Sequence, residues 1–108
     1  MYICLTYIII IFIFNHVKSF KDKETEKIFN QEYSKKLPKE IQYRALKKLI
    51  LLNSAEHESD LIVPYSNHFE HLKGDRKSEC SIRINDQWMI CFKFENRNAY
   101  DVGIEDYY

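Results

Sequence analysis

From Cys80 onward hydrophobic residues recur at every second position. Ile82 and Ile84, then Trp88, Ile90, Phe92 and Phe94, then Tyr100, Val102 and Ile104 share one parity, while Ser81, Arg83, Met89, Cys91, Lys93, Asp101 and Glu105 fall on the other. A period of two marks strands with one buried face, which predicts strands over Phe69 to Leu72, Cys80 to Ile84, Trp88 to Phe94 and Ala99 to Ile104. Between them, Lys73-Gly74-Asp75, Asn85-Asp86-Gln87 and Asn96-Arg97-Asn98 are built of turn residues and predict hairpins. Upstream the period is 3.6. Ile41, Ala45, Leu46, Leu49 and Leu52 line one side of a helix opened by Pro38. Asp22 caps an earlier helix from Lys23 to about Tyr33, with acids in its first turn and Lys35 and Lys36 closing it. His16 to Phe20 alternate and predict a first strand. The order β-α-α-β-β-β-β is an α+β fold of two layers, two N-terminal helices packed on a mostly antiparallel twisted sheet. One sheet face lies beneath the helices and the other is expected to be open to a ligand.

Met1 to Phe14 breaks this pattern, because its only clearly polar side chain is Thr6. As a helix it would reach only about 21 Å, short of the roughly 30 Å hydrocarbon core. No Lys or Arg precedes Lys18 and no small-residue cleavage site follows, so it is a poor signal peptide. A short membrane tether, an added element packed on the domain and an extension without function remain; the last is favoured, which makes membrane association unlikely. Residues 1–16 are therefore set apart as an apolar extension, and residues 17–108 as a single domain.

Charge changes the picture more than composition does. Lys plus Arg and Asp plus Glu both number 16, yet residues 1–54 hold ten bases against five acids and residues 55–108 six against eleven. Neutrality thus hides a basic element able to meet an anionic partner. Most of it is the outer side of the second helix, where Lys39, Tyr43, Arg44, Lys47 and Lys48 stack at helical spacing. Three cysteines, Cys4, Cys80 and Cys91, form no C-x-x-C pair, so neither a disulfide framework nor a zinc motif is indicated and a cytoplasmic location fits. The four histidines show no ligand spacing; neither a metal nor a cofactor is expected. No phosphate loop, nucleophile elbow or metalloprotease motif occurs. Lys73, Arg76 and Lys77 around one turn, Arg83 and Lys93 on the outer strand parity, and the closing Asp106-Tyr107-Tyr108 combine cations with phenols. Such a mixture suits single-stranded RNA, whose phosphates take the charges and whose bases stack on rings.

Val17-Lys18-Ser19-Phe20, Leu72-Lys73-Gly74-Asp75-Arg76-Lys77, Ser81-Ile82-Arg83-Ile84-Asn85-Asp86-Gln87-Trp88, Ile90-Cys91-Phe92-Lys93-Phe94 and Ala99 through Tyr107 occur in one order, and that series resembles the HigB toxins of the RelE/ParE superfamily. The resemblance covers about Val17 to Tyr108. It implies the toxin of a type II toxin–antitoxin pair, an endoribonuclease that cuts messenger RNA in the ribosomal A site without a metal. It also implies an antitoxin of the HigA helix-turn-helix type, with operator DNA met only through that antitoxin. By position, Lys73 would face the scissile phosphate, Glu70 would stand where relatives carry His or Glu, and Asp106, Tyr107 and Tyr108 would form the C-terminal part of the catalytic set. Lys39, Arg44, Lys47 and Lys48 would meet ribosomal RNA. Arg76 and Lys77 are read as further RNA contacts, and Arg83 and Lys93 either as nucleic-acid contacts or as simple salt links to Asp or Glu across a strand.

The chain departs from the family pattern where chemistry is expected. Met89 stands where an Arg is usual, so a guanidinium for the phosphate is missing. Tyr108 replaces a His, exchanging a group that titrates near neutrality for a phenol with a pKa of about 10. Ser78 replaces a turn Gly, and Cys80 an aromatic beside the site. These changes imply a weakened or inactive nuclease that keeps its fold and its antitoxin. The alternatives are a catalytically silent module that only binds antitoxin and, less favoured, a gyrase inhibitor of the ParE kind.

Overall fold

The computed structural model describes residues 15–107; the apolar run 1–14 and Tyr108 lie outside the described residues. Two main helices, α1 (Lys23–Phe29) and α2 (Lys39–Ser54), precede a one-turn helix α3 (Ser59–Ile62). Four strands follow: β1 (Glu70–His71), β2 (Cys80–Arg83), β3 (Trp88–Glu95) and β4 (Asn98–Asp106). They form one antiparallel sheet in the order β1-β2-β3-β4. No helix among the described residues is long and apolar enough to cross a membrane.

The helical stripe and the strand parity meet in one core. Ile41, Ala45, Leu46, Leu49 and Leu52 of α2 and Ile28 of α1 are buried, as are Ile82, Ile84, Ile90, Phe92, Val102 and Ile104 of the sheet. Burying each of these side chains contributes about 1.5–3 kcal/mol. The layers are also joined by buried polar groups. The Ile104 N–H donates to the Thr25 hydroxyl at 2.9 Å, tying α1 to β4. The Val17 N–H donates to Asn53 Oδ1 at 3.0 Å, tying the segment before α1 to the end of α2.

Three expectations need correction. The first helix stops at Phe29 instead of Tyr33, because Gln31 turns left-handed (φ 65°). The Glu32 N–H then reaches the Lys27 carbonyl at 2.8 Å and the Gln31 N–H the Ile28 carbonyl at 3.0 Å. That is a Schellman ending, normally made with glycine, and Lys35 and Lys36 lie beyond it. The first strand is only a pair of isolated parallel bridges, Val17 to Ala99 and Phe20 to Val102, laid beside β4. β1 shortens to two residues because His68 is left-handed (φ 44°) before it and a 3₁₀ turn, Gly74–Arg76, follows soon after.

The parity of β4 also fails in part. Between Cys91 and Lys93 the β3–β4 register slips, so that Cys91 pairs with Gly103 but Lys93 with Tyr100. The extra residue lies at Asp101, whose φ is 52°. This bulge moves Tyr100 to the side of Lys93, away from Val102 and Ile104. The outer sheet face is not bare either: Ser81, Met89, Cys91 and Gly103 are all buried. The Lys21 stem lies over Gly103, where an added Cβ would meet Lys21 Cβ at 3.1 Å. Arg76 reaches across to Glu105 on β4.

Candidate nucleic-acid interface

Arg44 and Lys48 stand one turn apart on α2 and are carried to one end of the sheet by the burial of Ala45 and Leu49. There they meet Arg83, the last residue of β2. The three cations, with Ser66, His68, Ile84, Asn85 and Asp86, line a cavity of about 270 Å³. Lys48 donates to Asn67 Oδ1. Burial, reinforced by the charges of Arg44 and Lys47, holds its ammonium below the ordinary lysine range. Positive charge is therefore crowded here, and an anion would relieve it.

Arg83 is the hinge of this arrangement. Its guanidinium lies 5.9 Å from the centroid of the Tyr107 ring and its Nη1 is 3.8 Å from Asp86 Oδ1. Its Nε is buried with no hydrogen-bond partner among the described residues. Such a donor costs about 1–3 kcal/mol until an acceptor reaches it. Tyr107 is held by its backbone, whose N–H donates to the Gln87 carbonyl at 2.7 Å. Gln87 Nε2 in turn donates to Asp106 Oδ2 at 2.9 Å.

His68 lines a second cavity as well, of about 180 Å³, with Ile62, Tyr65, Phe69 and Glu70. It thus stands between the basic cavity and the Glu70 carboxylate on the edge strand. No motif signals this, because His68 owes its place to a left-handed backbone and to a tilted ring contact with Tyr65, centroids 5.6 Å apart.

The turn after β1 is fastened differently. Arg76 Nε and Nη2 donate to the two oxygens of Glu79, each at 2.9 Å, while Nη1 and Nη2 donate to Glu105 at 2.9 and 2.7 Å. Lys21 adds a contact of 3.4 Å to Glu105. Arg76 holds both carboxyls below the usual carboxylate range, and they hold its own proton more tightly. The guanidinium is thereby engaged by two carboxylates, and it pins the turn carrying Lys73 and Lys77 to the strand residue just before Asp106. Lys73 and Lys77 are exposed, with no side-chain partner among the described residues. Lys93 is bound across the bulge to Asp101 Oδ2 at 3.4 Å. Lys47 lies over the Tyr43 ring at 5.1 Å, and Lys39 lines a shallow cavity with Tyr33, Gln42 and Tyr43. Burial and Glu105 push the Cys91 thiol up to about 12, which leaves it inert. Met89 is buried, facing Arg83 on one side and Glu105 on the other.

Residues 18–107 match the family model described as RelE-like toxin of type II toxin-antitoxin system HigB. The chain belongs to the HigB-like toxin family. Over 87 residues it is 41% identical to Toxin HigB-1 of Vibrio cholerae, an alignment covering 80% of this chain and 92% of that protein. Over 93 residues it is 32% identical to a protein of Proteus vulgaris named Endoribonuclease HigB, covering 85% of this chain and 99% of that one. An uncharacterized protein of Haemophilus influenzae is 30% identical over 70 residues, 65% of this chain and 69% of the relative. Within a HigB-like toxin, the helices on one side and the antiparallel sheet on the other make a RelE-like α+β fold, with the cationic cavity and the pinned turn at its edge.

Proposed function

We propose that this toxin is a ribosome-dependent endoribonuclease that cuts messenger RNA by attack of a ribose 2′-hydroxyl on the adjacent phosphate. The bond formed is from the 2′-oxygen to phosphorus and the bond broken is from phosphorus to the 5′-oxygen, leaving a cyclic phosphate and a free 5′-hydroxyl. Lys73 neutralises the phosphate, Glu70 or Asp106 accepts the 2′ proton, and Tyr107 or Tyr108 returns a proton to the leaving oxygen. Arg83, over the Tyr107 ring and lining the basic cavity, supports the same phosphate backbone. Arg44 and Lys48 continue the cationic track toward Lys47 and Lys39, the side assigned to ribosomal RNA. Lys77 borders the messenger beside Lys73. Arg76 and Lys93 are assigned to scaffolding, since carboxylates of the chain already engage them.

The observation that carries this reading is the convergence of Arg44, Lys48 and Arg83 on one cavity whose histidine also borders Glu70. Its partner is a HigA-like helix-turn-helix antitoxin, and its setting is the cytoplasm. Residues 17–108 are the toxin domain, and residues 1–16 an extension that the chemistry does not use. Met89 and Tyr108 slow the reaction. The full chain is incubated with translating ribosomes and the messenger is mapped by primer extension. Cuts within the A-site codon that fall about 10²-fold in Lys73→Ala support the proposal. Absence of cuts even after Met89→Arg with Tyr108→His would overturn it.

A further inference from the structure

We propose that Glu58, His71 and Cys80 form a binding site for one divalent ion of borderline softness, with Zn²⁺ the ion whose preferences fit the donors. The three residues come from three places: the loop that enters α3, the edge strand β1 and the first position of β2, where Cys80 is the register partner of His71. Their sulfur, nitrogen and oxygen atoms lie within 4.8 Å of one another. Cys80 Sγ is 3.4 Å from His71 Nδ1, His71 Nε2 is 2.8 Å from Glu58 Oε1, and Sγ is 4.0 Å from the same oxygen.

Bonds of about 2.0–2.3 Å in a tetrahedron place donor atoms roughly 3.3–3.7 Å apart. The cluster therefore needs shifts of about half an ångström and a turn of the imidazole that offers one nitrogen to the ion. His71 and Glu58 have room for this, because their side chains are 62% and 46% exposed. Cys80 is only 4% exposed and is fixed by the β2–β3 ladder. That burial shuts a substrate away from the thiol, but a small ion can enter between the two exposed ligands. Three protein donors leave a fourth position for water. The bound ion would clip the loop before α3 to the base of the β1–β2 hairpin. No local motif announces the site, since its ligands are thirteen and nine residues apart and meet only through strand pairing.

The test uses the full chain, reduced and stripped of metal, titrated with Co²⁺ and then Zn²⁺. One equivalent of Co²⁺ is expected to give a thiolate-to-cobalt band in the near ultraviolet, which one equivalent of Zn²⁺ removes while raising the thermal midpoint by several degrees. Cys80→Ser should abolish the band, and Cys4→Ser should leave it. His71→Gln and Glu58→Gln, at exposed positions that leave the fold intact, should each weaken Zn²⁺ binding at least about tenfold. The proposal is overturned if the native chain gives no such band, if the band survives Cys80→Ser or is lost in Cys4→Ser, or if both exposed variants bind Zn²⁺ as the native chain does.

Discussion

The guanidinium of Arg83 lies 5.9 Å from the ring centroid of Tyr107, so that the end of β2 and the C-terminal end of the chain share one cation–π contact. Neither group is engaged by the apolar core. This contact divides the proposed site into a phosphate-holding and a proton-moving part, which substitution can separate.

Arg83→Ala should lower messenger cleavage about 10²-fold, and Arg83→Lys should restore only part of it, because an ammonium lacks the flat fork that can stack and donate together. Tyr107→Phe keeps the ring and the stack but removes the hydroxyl. All three variants should unfold at nearly the native temperature. Cleavage rates with purified ribosomes, read beside thermal unfolding, check this, and an Arg83→Ala protein as active as the native chain would remove Arg83 from the site.

Met89→Arg combined with Tyr108→His should raise cleavage by about 10²-fold or more, supplying a guanidinium beside Arg83 and a group that titrates near neutrality. Glu105, opposite residue 89, is close enough to steady the new charge. The comparison to make is the rate of A-site cutting by single and double variants.

Acid should loosen the molecule through Glu105. Its carboxyl is held low, chiefly by hydrogen bonds from Arg76. A carboxylate depressed in the folded state stabilises fully above its unfolded value, roughly 4.3, and the contribution fades as pH falls toward the folded value. Glu105→Gln should cost about 1 kcal/mol at neutral pH, discounted for partial exposure, and should flatten the acid side of a denaturation curve measured between neutrality and pH 3.

The β3–β4 turn is strained by one residue. Asn96 and Arg97 both have positive φ, 50° and 66°, the geometry of a two-residue type I′ hairpin. Asn tolerates it, but Arg pays for its Cβ. Arg97→Gly should raise stability by about 0.5–1 kcal/mol, seen as a thermal midpoint several degrees higher without loss of cleavage.

Removing two cations from the basic cavity should alter binding more than chemistry. Arg44→Ala with Lys48→Ala should weaken ribosome association and reduce its logarithmic salt slope by about 2. Cosedimentation across a salt series measures it, and an unchanged slope would place these residues outside the RNA path.

Much of this protein is written locally. The alternation through β2 and β3, the α2 stripe and the Asp22 cap depend on neighbours a few residues away, and each appears where the sequence puts it: Asp22 accepts from the Thr25 N–H at 2.7 Å. Several of the errors fall where the backbone turns left-handed. Gln31 and His68 are held there by bonds to the preceding turn, whereas at Asp101 the state is sustained by tertiary partners. At Asp101 these are the Ser19 hydroxyl, 2.9 Å from its N–H, and the Ser19 carbonyl, which receives the next N–H. Pattern reading sees no such partners, so it extends helix and strand too far and misplaces Tyr100.

The cations were legible in the sequence as residue types, but which of them are paired was not. Sequence alone determined the secondary periods, the layered α+β class and the segregation of bases toward the first half, because these follow from covalent order and side-chain polarity. Only the tertiary structure decided which cations are consumed by carboxylates, as Arg76 and Lys93 are, and which converge, as Arg44, Lys48 and Arg83 do. It also decided that Glu58, His71 and Cys80 meet. The reason is geometric: charge pairing and ligand convergence fall off within a few ångströms, and which groups come that close is set by how helix, strands and bulge pack.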